Sequence, residues 1–475
     1  MKTCRQKLAA LSSFPFTTTL APAMLIMVGG CNGPSQRPFQ PNYQSGIVAS
    51  LAADTPALPE IVPTSDVDAY ITYALLNNPG LKAAFQDYTA SLERVPQVTA
   101  LPDPRLSYRH YVQEVQTRVG PQELAVGLSQ TLPWFGKLKL QGNTASSKAS
   151  AAHERLEAKR NDLVAEVADA YLEYYHLGRA IAVVRGNRDL ILHLERVART
   201  RYGAGASSHP DIIRAQVELG TLENQLASLE DRSTPLVARL NASLSRPQAT
   251  PIPFPSEVVV RSVEAEDEEI FSWIAARNPE LRALQFEVDA AQSATERAEK
   301  DFYPDLTFGL DYIFTGDAEM SGVDGSGDDA VIAGLSLNLP IYRDNYRAAV
   351  RESEARRKSV TLRRHDLLNR LQAEAASALF RLRDAERQID LYQDALLPKA
   401  HELLRTTQSA YSAGDATFTD LVEAQRVLLS FELSFERSRT DHGQWRVALE
   451  RLVGTDLPST ATPESTKEFG NDTDN

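Results

Sequence analysis

The residue types that do chemistry in enzymes and metal proteins are present in this sequence, but they do not form working groups. The eight histidines are scattered, and none is paired at metal-ligand spacing. The segment His401-Glu402-Leu403-Leu404-Arg405 lacks the second histidine of a zinc-protease motif, so we interpret it as a helix surface. Phosphate loops, dinucleotide fingerprints and nucleophile elbows are absent as well. The sequence therefore predicts no catalytic residue, no cofactor and no metal site.

The acidic loop from Thr315 to Asp329 invites a calcium interpretation, because five carboxylates lie among its glycines. Their spacing does not follow the regular ligand order of a calcium-binding loop. We expect a solvated hairpin tip instead.

Cys31 does carry a chemical prediction. Residues 1–30 have a basic start and a mostly apolar continuation, as in an export signal. They end in Val28-Gly29-Gly30-Cys31, which resembles a bacterial lipobox, so Cys31 is the expected lipidated N-terminus. Asn32 resembles the sorting residue of lipoproteins sent to the outer membrane. The alternative is a plain secretory signal with an incidental cysteine.

Composition narrows the class of protein. The chain has 475 residues, 24% of them charged and 7% aromatic, with a formal net charge of −13. Low aromatic content with abundant Ala and Leu favours long helices and coiled coils. Because the sequence has no basic face, it argues against nucleic acid as a partner.

The chain is an internal duplication. Asn78-Pro79-Gly80-Leu81 returns as Asn278-Pro279-Glu280-Leu281, and Leu132-Pro133 returns as Leu339-Pro340. The order of landmarks is kept while the offset grows from 200 to 207 residues, so we expect a longer hairpin loop in the second copy. The predicted domains are a signal peptide (1–30), a lipidated linker (31–64), two repeats (65–250 and 251–455) and a disordered tail (456–475).

A third duplicated landmark lies 209 residues apart and predicts two tight turns between helices. Tyr202, Gly205 and Asp211 match Tyr411, Gly414 and Asp420. Each glycine suits the left-handed residue that ends a helix. Ser208 and Thr417 are the expected N-caps of the following helices, with Asp211 and Asp420 three residues on in an acidic variant of the capping box.

Each repeat also contains two stretches that alternate between apolar and polar or small residues. The predicted strands cover about 104–114, 122–133, 304–314 and 330–340. Such strands occur in half-buried sheets of soluble proteins and in transmembrane barrels. Four strands cannot close a barrel, since about eight are needed. A membrane interpretation therefore requires several chains to share one barrel.

Very long helices are predicted after each hairpin. Residues 136–202 contain no proline and would extend ~100 Å at 1.5 Å per residue. The matching helix from Tyr342 to Tyr411 contains Pro398, which should kink it or end a segment. Apolar residues recur behind both turns at coiled-coil spacing, so each turn is expected to join an antiparallel helix pair.

These features together resemble the TolC family of outer-membrane efflux proteins over roughly residues 65–455. The most specific motifs are the duplicated Asn-Pro-x-Leu segments, the run Gln130-Thr131-Leu132-Pro133-Trp134-Phe135-Gly136-Lys137, and the two Tyr-x-x-Gly turns followed by Asp-x-x-x-Ala-Gln. The lipobox and the Pro-Trp-Phe-Gly-Lys run are similar to the lipoprotein branch that serves proton-driven cation or drug pumps.

The resemblance implies a homotrimer in the outer membrane. Each chain would give four strands to a 12-stranded transmembrane β-barrel, and its helices would continue as a long periplasmic α-helical barrel. Such proteins are passive exit ducts of tripartite efflux systems, working with a periplasmic adaptor and an inner-membrane pump.

The resemblance also assigns roles to the two turns. It places Tyr202, Gly205, Ala206, Tyr411, Gly414 and Asp415 at the periplasmic tip that the adaptor grips. Asp420, Glu423 and Arg214 become candidates for a pore gate. The alternative role for Asp420 is helix capping, which explains the residue equally well. The alternative for Glu423 is a position on a solvated helix face. An ion pair from Arg214 to a carboxylate is the hypothesis for the closed state.

Two other classes of protein compete with this interpretation. A periplasmic coiled-coil adaptor or scaffold without a membrane barrel would also need long helices, but it has no use for four strands with one apolar face. A secreted enzyme is disfavoured because the catalytic groups are missing.

Overall fold

The computed structural model of the chain describes residues 58–62, 65–205, 208–255 and 261–461. The predicted signal peptide, Cys31 and Ala206 lie outside the described residues. So do most of the predicted linker and residues 462–475 of the predicted tail. All the described residues belong to one compact unit.

The first repeat folds in the predicted order, with one additional short helix at its end. Its elements are α1 (Val67–Asn77), α2 (Pro79–Thr99), β1 (Arg105–Thr117), β2 (Gly120–Leu132), α3 (Lys137–Gly203), α4 (His209–Asp231) and α5 (Ser233–Ser243).

The second repeat follows the same order but has a short strand at each end instead of the additional helix. The last of these strands corrects the prediction that residues 456–475 are a disordered tail, because it pairs with the first. Its elements are β3 (Arg261–Val263), α6 (Asp267–Arg277), α7 (Pro279–Lys300), β4 (Leu306–Thr315), β5 (Ala330–Leu337), α8 (Arg343–Leu391), a π-helical turn (Tyr392–Leu396), α9 (Leu397–Ala413), α10 (Phe418–Val453) and β6 (Ser459–Ala461).

The duplicated Asn-Pro segments are helix breaks. Asn78 and Asn278 both leave the helical conformation, and the side-chain oxygen of each accepts the backbone N–H three residues on at 3.0 Å. The following proline occupies the first turn, where its missing N–H costs nothing. The amide nitrogen of Asn278 also donates to the carbonyl of Leu452 at 2.9 Å, which ties the start of the repeat to its end.

The four long strands form one antiparallel sheet in the order β1-β2-β4-β5, so the two hairpins lie side by side. The β1–β2 turn contains only residues 118–119, whereas the β4–β5 loop runs from 316 to 329. This confirms the longer loop in the second copy. β1 continues to Thr117 through a bulge between His110 and Val115, beyond the predicted end.

Pro398 breaks the long second-copy helix, as predicted, but the break is a single π-helical turn at Tyr392–Leu396 that precedes it. A π turn adds one residue per turn, and it relieves the clash between a helix-interior proline and the carbonyl four residues back. The chain then continues as α9 without leaving the helical conformation.

Helices pack side by side below the sheet. α3 contacts α2 and α7 along its first part, and α7 contacts α8. Farther along, α3 lies between α4 and α10, and α10 contacts α9. A separate apolar cluster joins α6, α8 and α10 around Ile274, Leu371 and Leu449. None of the helices in the described segments has an apolar run that could cross a membrane.

Candidate functional site

The second turn closes α9 in the manner expected for its glycine. Gly414 has φ +95°, and its N–H donates to Tyr411 O at 3.2 Å. The N–H of Asp415 donates to Ala410 O at 2.9 Å. These two bonds define a Schellman motif, which satisfies carbonyls that the end of a helix leaves unpaired.

Asp420 closes the N-terminus of α10. Its carboxylate accepts the Thr417 backbone N–H at 2.8 Å and the Thr417 hydroxyl at 2.7 Å. In return, the Asp420 N–H donates to Thr417 Oγ1 at 3.2 Å. These bonds from Thr417 hold the pKa of the fully exposed Asp420 below its usual range. The predicted cap is therefore present.

The first turn repeats this arrangement in a looser form. Gly205 has φ +72°, and its N–H donates to Tyr202 O at 3.0 Å. The N–H of Ser208 donates to Asp211 Oδ2 at 3.2 Å. The glycine and the acidic capping partner thus occupy equivalent positions in both turns.

Two arginines from the first repeat fasten the first turn to the second. Arg214 donates to the hydroxyl of Thr419, and no ion pair joins it to a carboxylate of the described residues. Arg201 donates to Ser412 O at 2.6 Å and stacks 4.8 Å over the ring of Tyr411. Both turns therefore lie at the same end of the helices.

The candidate contact residues differ in accessibility. Tyr411 is only 5% exposed and packs edge-on against Phe418 at 5.7 Å, so within this chain it supports the turn. Tyr202 is 49% exposed, and Gly205, Gly414 and Asp415 are also exposed. Glu423 lies exposed on α10, one turn after Asp420.

A buried polar network lies above the turns, and sequence reasoning did not identify it. Gln425, the last residue of the second Asp-x-x-x-Ala-Gln motif, is 0% exposed and donates to Asn187 Oδ1 at 2.7 Å. Asn187 donates to Glu432 Oε2 at 3.0 Å. Burial raises the pKa of Glu432, against the lowering effect of the Asn187 bond. The sequence offered one signal for this network: the duplicated motif keeps its final glutamine, which is Gln216 in the first copy and Gln425 in the second.

This network borders an open cavity of about 340 Å³ between α3 and α10. Gly186 lines this cavity, and a side chain at this position would meet open space. Next to it, Arg179 pairs with the buried carboxylate of Glu436 at 2.7 Å. Polar contacts across an interhelical seam fix the register of the two helices.

The sheet at the other end of the molecule exposes a continuous apolar face. Tyr108, Val126, Tyr312 and Val331 lie opposite one another across all four strands, and so do Leu106, Leu128, Leu310 and Ala333. Large side chains on this face remain exposed, with Leu335 at 60%. Exposed apolar surface on this scale marks an interaction with lipid or protein.

The opposite face of the sheet is polar or small. Thr131 and Thr307 share a hydroxyl hydrogen bond of 2.9 Å across β2 and β4. Arg109 on β1 reaches Asp311 on β4 at 2.5 Å. On β2, which separates these two strands, Ala125 lies opposite Arg109 and Gly127 lies opposite Asp311.

The Pro-Trp-Phe-Gly-Lys motif joins the sheet to α3. Gly136 turns the chain with φ +88° at the start of the helix. The ring of Trp134 stacks on Tyr303 at 5.3 Å, and the backbone N–H of Trp134 donates to Asp305 Oδ1 at 2.8 Å. The buried ammonium of Lys137 binds the same oxygen at 2.9 Å. The motif therefore locks the first repeat onto the start of β4.

In the described part of the chain, no cluster of three or more His, Cys, Asp or Glu side chains could hold a metal ion. One carboxylate of the acidic β4–β5 loop is used within the hairpin: Asp329 accepts the N–H of Thr315 at 2.8 Å and the hydroxyl of Tyr312 at 2.7 Å.

The chain resembles a known protein family and individual proteins along most of its length. The family model described as outer membrane efflux protein matches residues 70–246 and 271–455, the greater part of both repeats. The cobalt-zinc-cadmium resistance protein CzcC of Cupriavidus metallidurans is 21% identical over 88% of this chain and 96% of its own length. The outer membrane protein OprJ of Pseudomonas aeruginosa is 25% identical over 90% and 94%.

Solved structures share the fold. The crystal structure of CusC superposes with a TM-score of 0.70 at 16% identity, covering 85% of this chain and 95% of that one. The outer membrane protein VceC of Vibrio cholerae gives a TM-score of 0.67 at 18% identity, covering 82% and 97%.

Proposed function

The chain belongs to the outer membrane efflux protein family, and from this membership we propose that it is the exit duct of a tripartite efflux system. It conducts substrate passively from an inner-membrane pump and a periplasmic adaptor across the outer membrane. Members of this family are efflux ducts rather than enzymes. The observation that carries the proposal is the four-stranded sheet, which exposes apolar side chains on one face and joins directly onto a 67-residue helix.

The sheet supports a barrel shared by three chains. The outer edges of β1 and β5 pair with no other strand in the described residues. Long, apolar strands with unpaired edges are prone to aggregate unless another strand pairs with them. Three copies of the sheet, joined edge to edge, would give the 12 strands of a closed barrel, with the apolar face toward lipid.

The helices support the same trimer. α4 and α9 lie at opposite sides of the group α4-α3-α10-α9. These two outer helices carry exposed apolar side chains, namely Ile213 and Val217 on α4 and Leu403 on α9. A ring of three chains would bury these side chains against the neighbouring chain and continue the barrel into the periplasm.

The paired turns are the proposed periplasmic tip, where the adaptor docks. Tyr202, Gly205, Gly414 and Asp415 are its accessible residues, and Ala206 is included from its position next to Gly205. Tyr411 has a supporting role because it is buried.

Carboxylates at this tip would form the gate. Three copies of Asp420 and Glu423 around a narrow opening would favour cations over anions. Arg214 holds Thr419, one residue before Asp420, so it is placed to fix the position of the acidic ring.

In this proposal a lipid anchor on Cys31 attaches the chain to the outer membrane in addition to the barrel. Cleavage before Cys31 and lipidation of its thiol would anchor the chain beside the barrel. One acyl chain alone binds membranes reversibly, whereas combined signals anchor stably.

Membrane fractionation tests the proposal against a soluble coiled-coil scaffold. We expect the protein in outer-membrane detergent extracts as an oligomer that dissociates only on heating in sodium dodecyl sulfate. Cys31→Ser should keep this oligomer while losing incorporation of a labelled fatty acid. A monomer recovered from the periplasm without detergent would overturn the proposed function.

A further inference from the structure

Arg109 and Asp311 form an ion pair that crosses the middle of the sheet diagonally. In the strand register Arg109 lies opposite Ala125, while Asp311 lies opposite Gly127. The pair therefore spans β1, β2 and β4, with Nη2 and Oδ1 2.5 Å apart. It lies on the polar face of the sheet.

Gly127 provides the room for this contact. A Cβ atom at this position would lie 2.3 Å from Asp311 Oδ1 and 2.7 Å from Ser107 Oγ. Both atoms are ends of side chains, so strand pairing alone does not require a glycine here. The missing side chain lets the Asp311 carboxylate cross β2 to reach the guanidinium.

The pair contributes little to folding. Its side chains are 57% and 30% exposed, and exposed ion pairs add at most a small stabilisation. Its position matters more than its strength. Among the polar-face residues that the strand ladders pair, the charged ones are Arg105, at the start of β1, and the two members of this ion pair.

We propose that Arg109 and Asp311 together form a charge-balanced ring in the exit pore, in which Asp311 neutralises the selectivity that Arg109 alone would impose. The inference rests on the proposed function, which directs the polar face toward the pore. Three chains would place three guanidiniums and three carboxylates at one level. A ring of one sign selects ions of the opposite sign, whereas paired charges leave this level open to cargo of either charge.

Reversal potentials of channels in planar bilayers under a KCl gradient test the ring. Asp311→Asn leaves three free guanidiniums and should shift the permeability ratio toward chloride by about twofold or more. Arg109→Gln should shift it toward potassium by a similar factor. The exchanged pair, Arg109→Asp with Asp311→Arg, should return the ratio close to the wild-type value. Arg94→Gln removes an exposed arginine from α2 and serves as the control.

The outcomes separate this inference from the proposed function. Heat-modifiable oligomers of each variant establish that it has assembled. Unchanged permeability ratios in both single variants, or shifts in the same direction, would overturn the charge-balanced ring. Absence of channels from assembled wild-type protein would instead overturn the duct itself.

Discussion

Asp420 caps the N-terminus of α10 and is also proposed to supply charge to the gate. The two roles can be separated, because capping needs an oxygen in the right place whereas the gate needs a negative charge. An asparagine in its place keeps an oxygen that accepts the Thr417 N–H but removes the carboxylate. We therefore expect Asp420→Asn to keep most of the stability of the tip and to lower the preference of the channel for cations. Reversal-potential measurements and thermal unfolding of the same preparation check this.

The complementary variant is Thr417→Ala, which keeps the charge and removes the hydroxyl that caps α10. It should cost about 1 kcal/mol of stability, as loss of an N-cap usually does, without changing ion selectivity. If Asp420→Asn left selectivity unchanged, Asp420 would be a helix cap only.

Glu432 is expected to make the stability of the protein depend on pH. Its pKa is raised mainly by burial, so its contribution to stability is fully present below the unfolded value of 4.5. That contribution is lost as pH rises through the folded pKa. Glu432→Gln should therefore flatten the decline in stability between pH 4 and pH 8.

Thermal unfolding in detergent at several pH values measures this effect. Glu423→Gln changes an exposed carboxylate on the same helix and is the matched control. An equally steep decline in Glu432→Gln would show that other groups carry the pH dependence.

Single-residue roles were predictable where they depend on the local chain. The left-handed glycines and the capping aspartates follow from neighbouring residues, so the duplicated motif located them. Burial of Tyr411 and Gln425 could not be predicted in this way. Both depend on partners more than 200 residues away in sequence, namely Arg201 and Asn187.

At the scale of elements, the left-handed turn is expected to be sensitive to a methyl group. Gly414→Ala must hold an alanine at φ +95°, which costs roughly 1–2 kcal/mol. Gly186→Ala, inside α3 with open space around it, should instead stabilise the helix by up to about 1 kcal/mol. Chemical denaturation of both variants measures the contrast, and equal effects would contradict the assigned turn.

Neighbouring residues on β5 test the two faces of the sheet. Leu335→Arg places a charge on the apolar face and should cost ~2–4 kcal/mol near the middle of a bilayer, preventing assembly in the outer membrane. Ser336→Arg places the same side chain on the polar face and should assemble. The yield of heat-modifiable oligomer distinguishes the variants. Comparable yields would mean that lipid does not cover the apolar face.

The hairpins were predictable because alternation of side chains reports directly on the faces of a strand. The sequence also located the break near Pro398. It could not specify a π turn there, because the form of the break depends on how α8 and α9 both remain packed against α10. The short β3–β6 pairing was missed, since three-residue strands leave no periodic signal.

For the whole molecule, duplication was the most informative feature of the sequence. Each repeat supplies one hairpin and one helix–turn–helix, and the structure places the hairpins side by side and the turns together. The order β1-β2-β4-β5 was beyond the sequence, because edge-to-edge pairing of two hairpins depends on contacts between repeats.

The exit duct is tested most directly by recording ion currents from purified, full-length protein in planar bilayers, alongside its mass in detergent. We predict discrete, long-lived channels from particles that contain three chains. Folded protein that gives no channels and has the mass of a single chain would contradict this account.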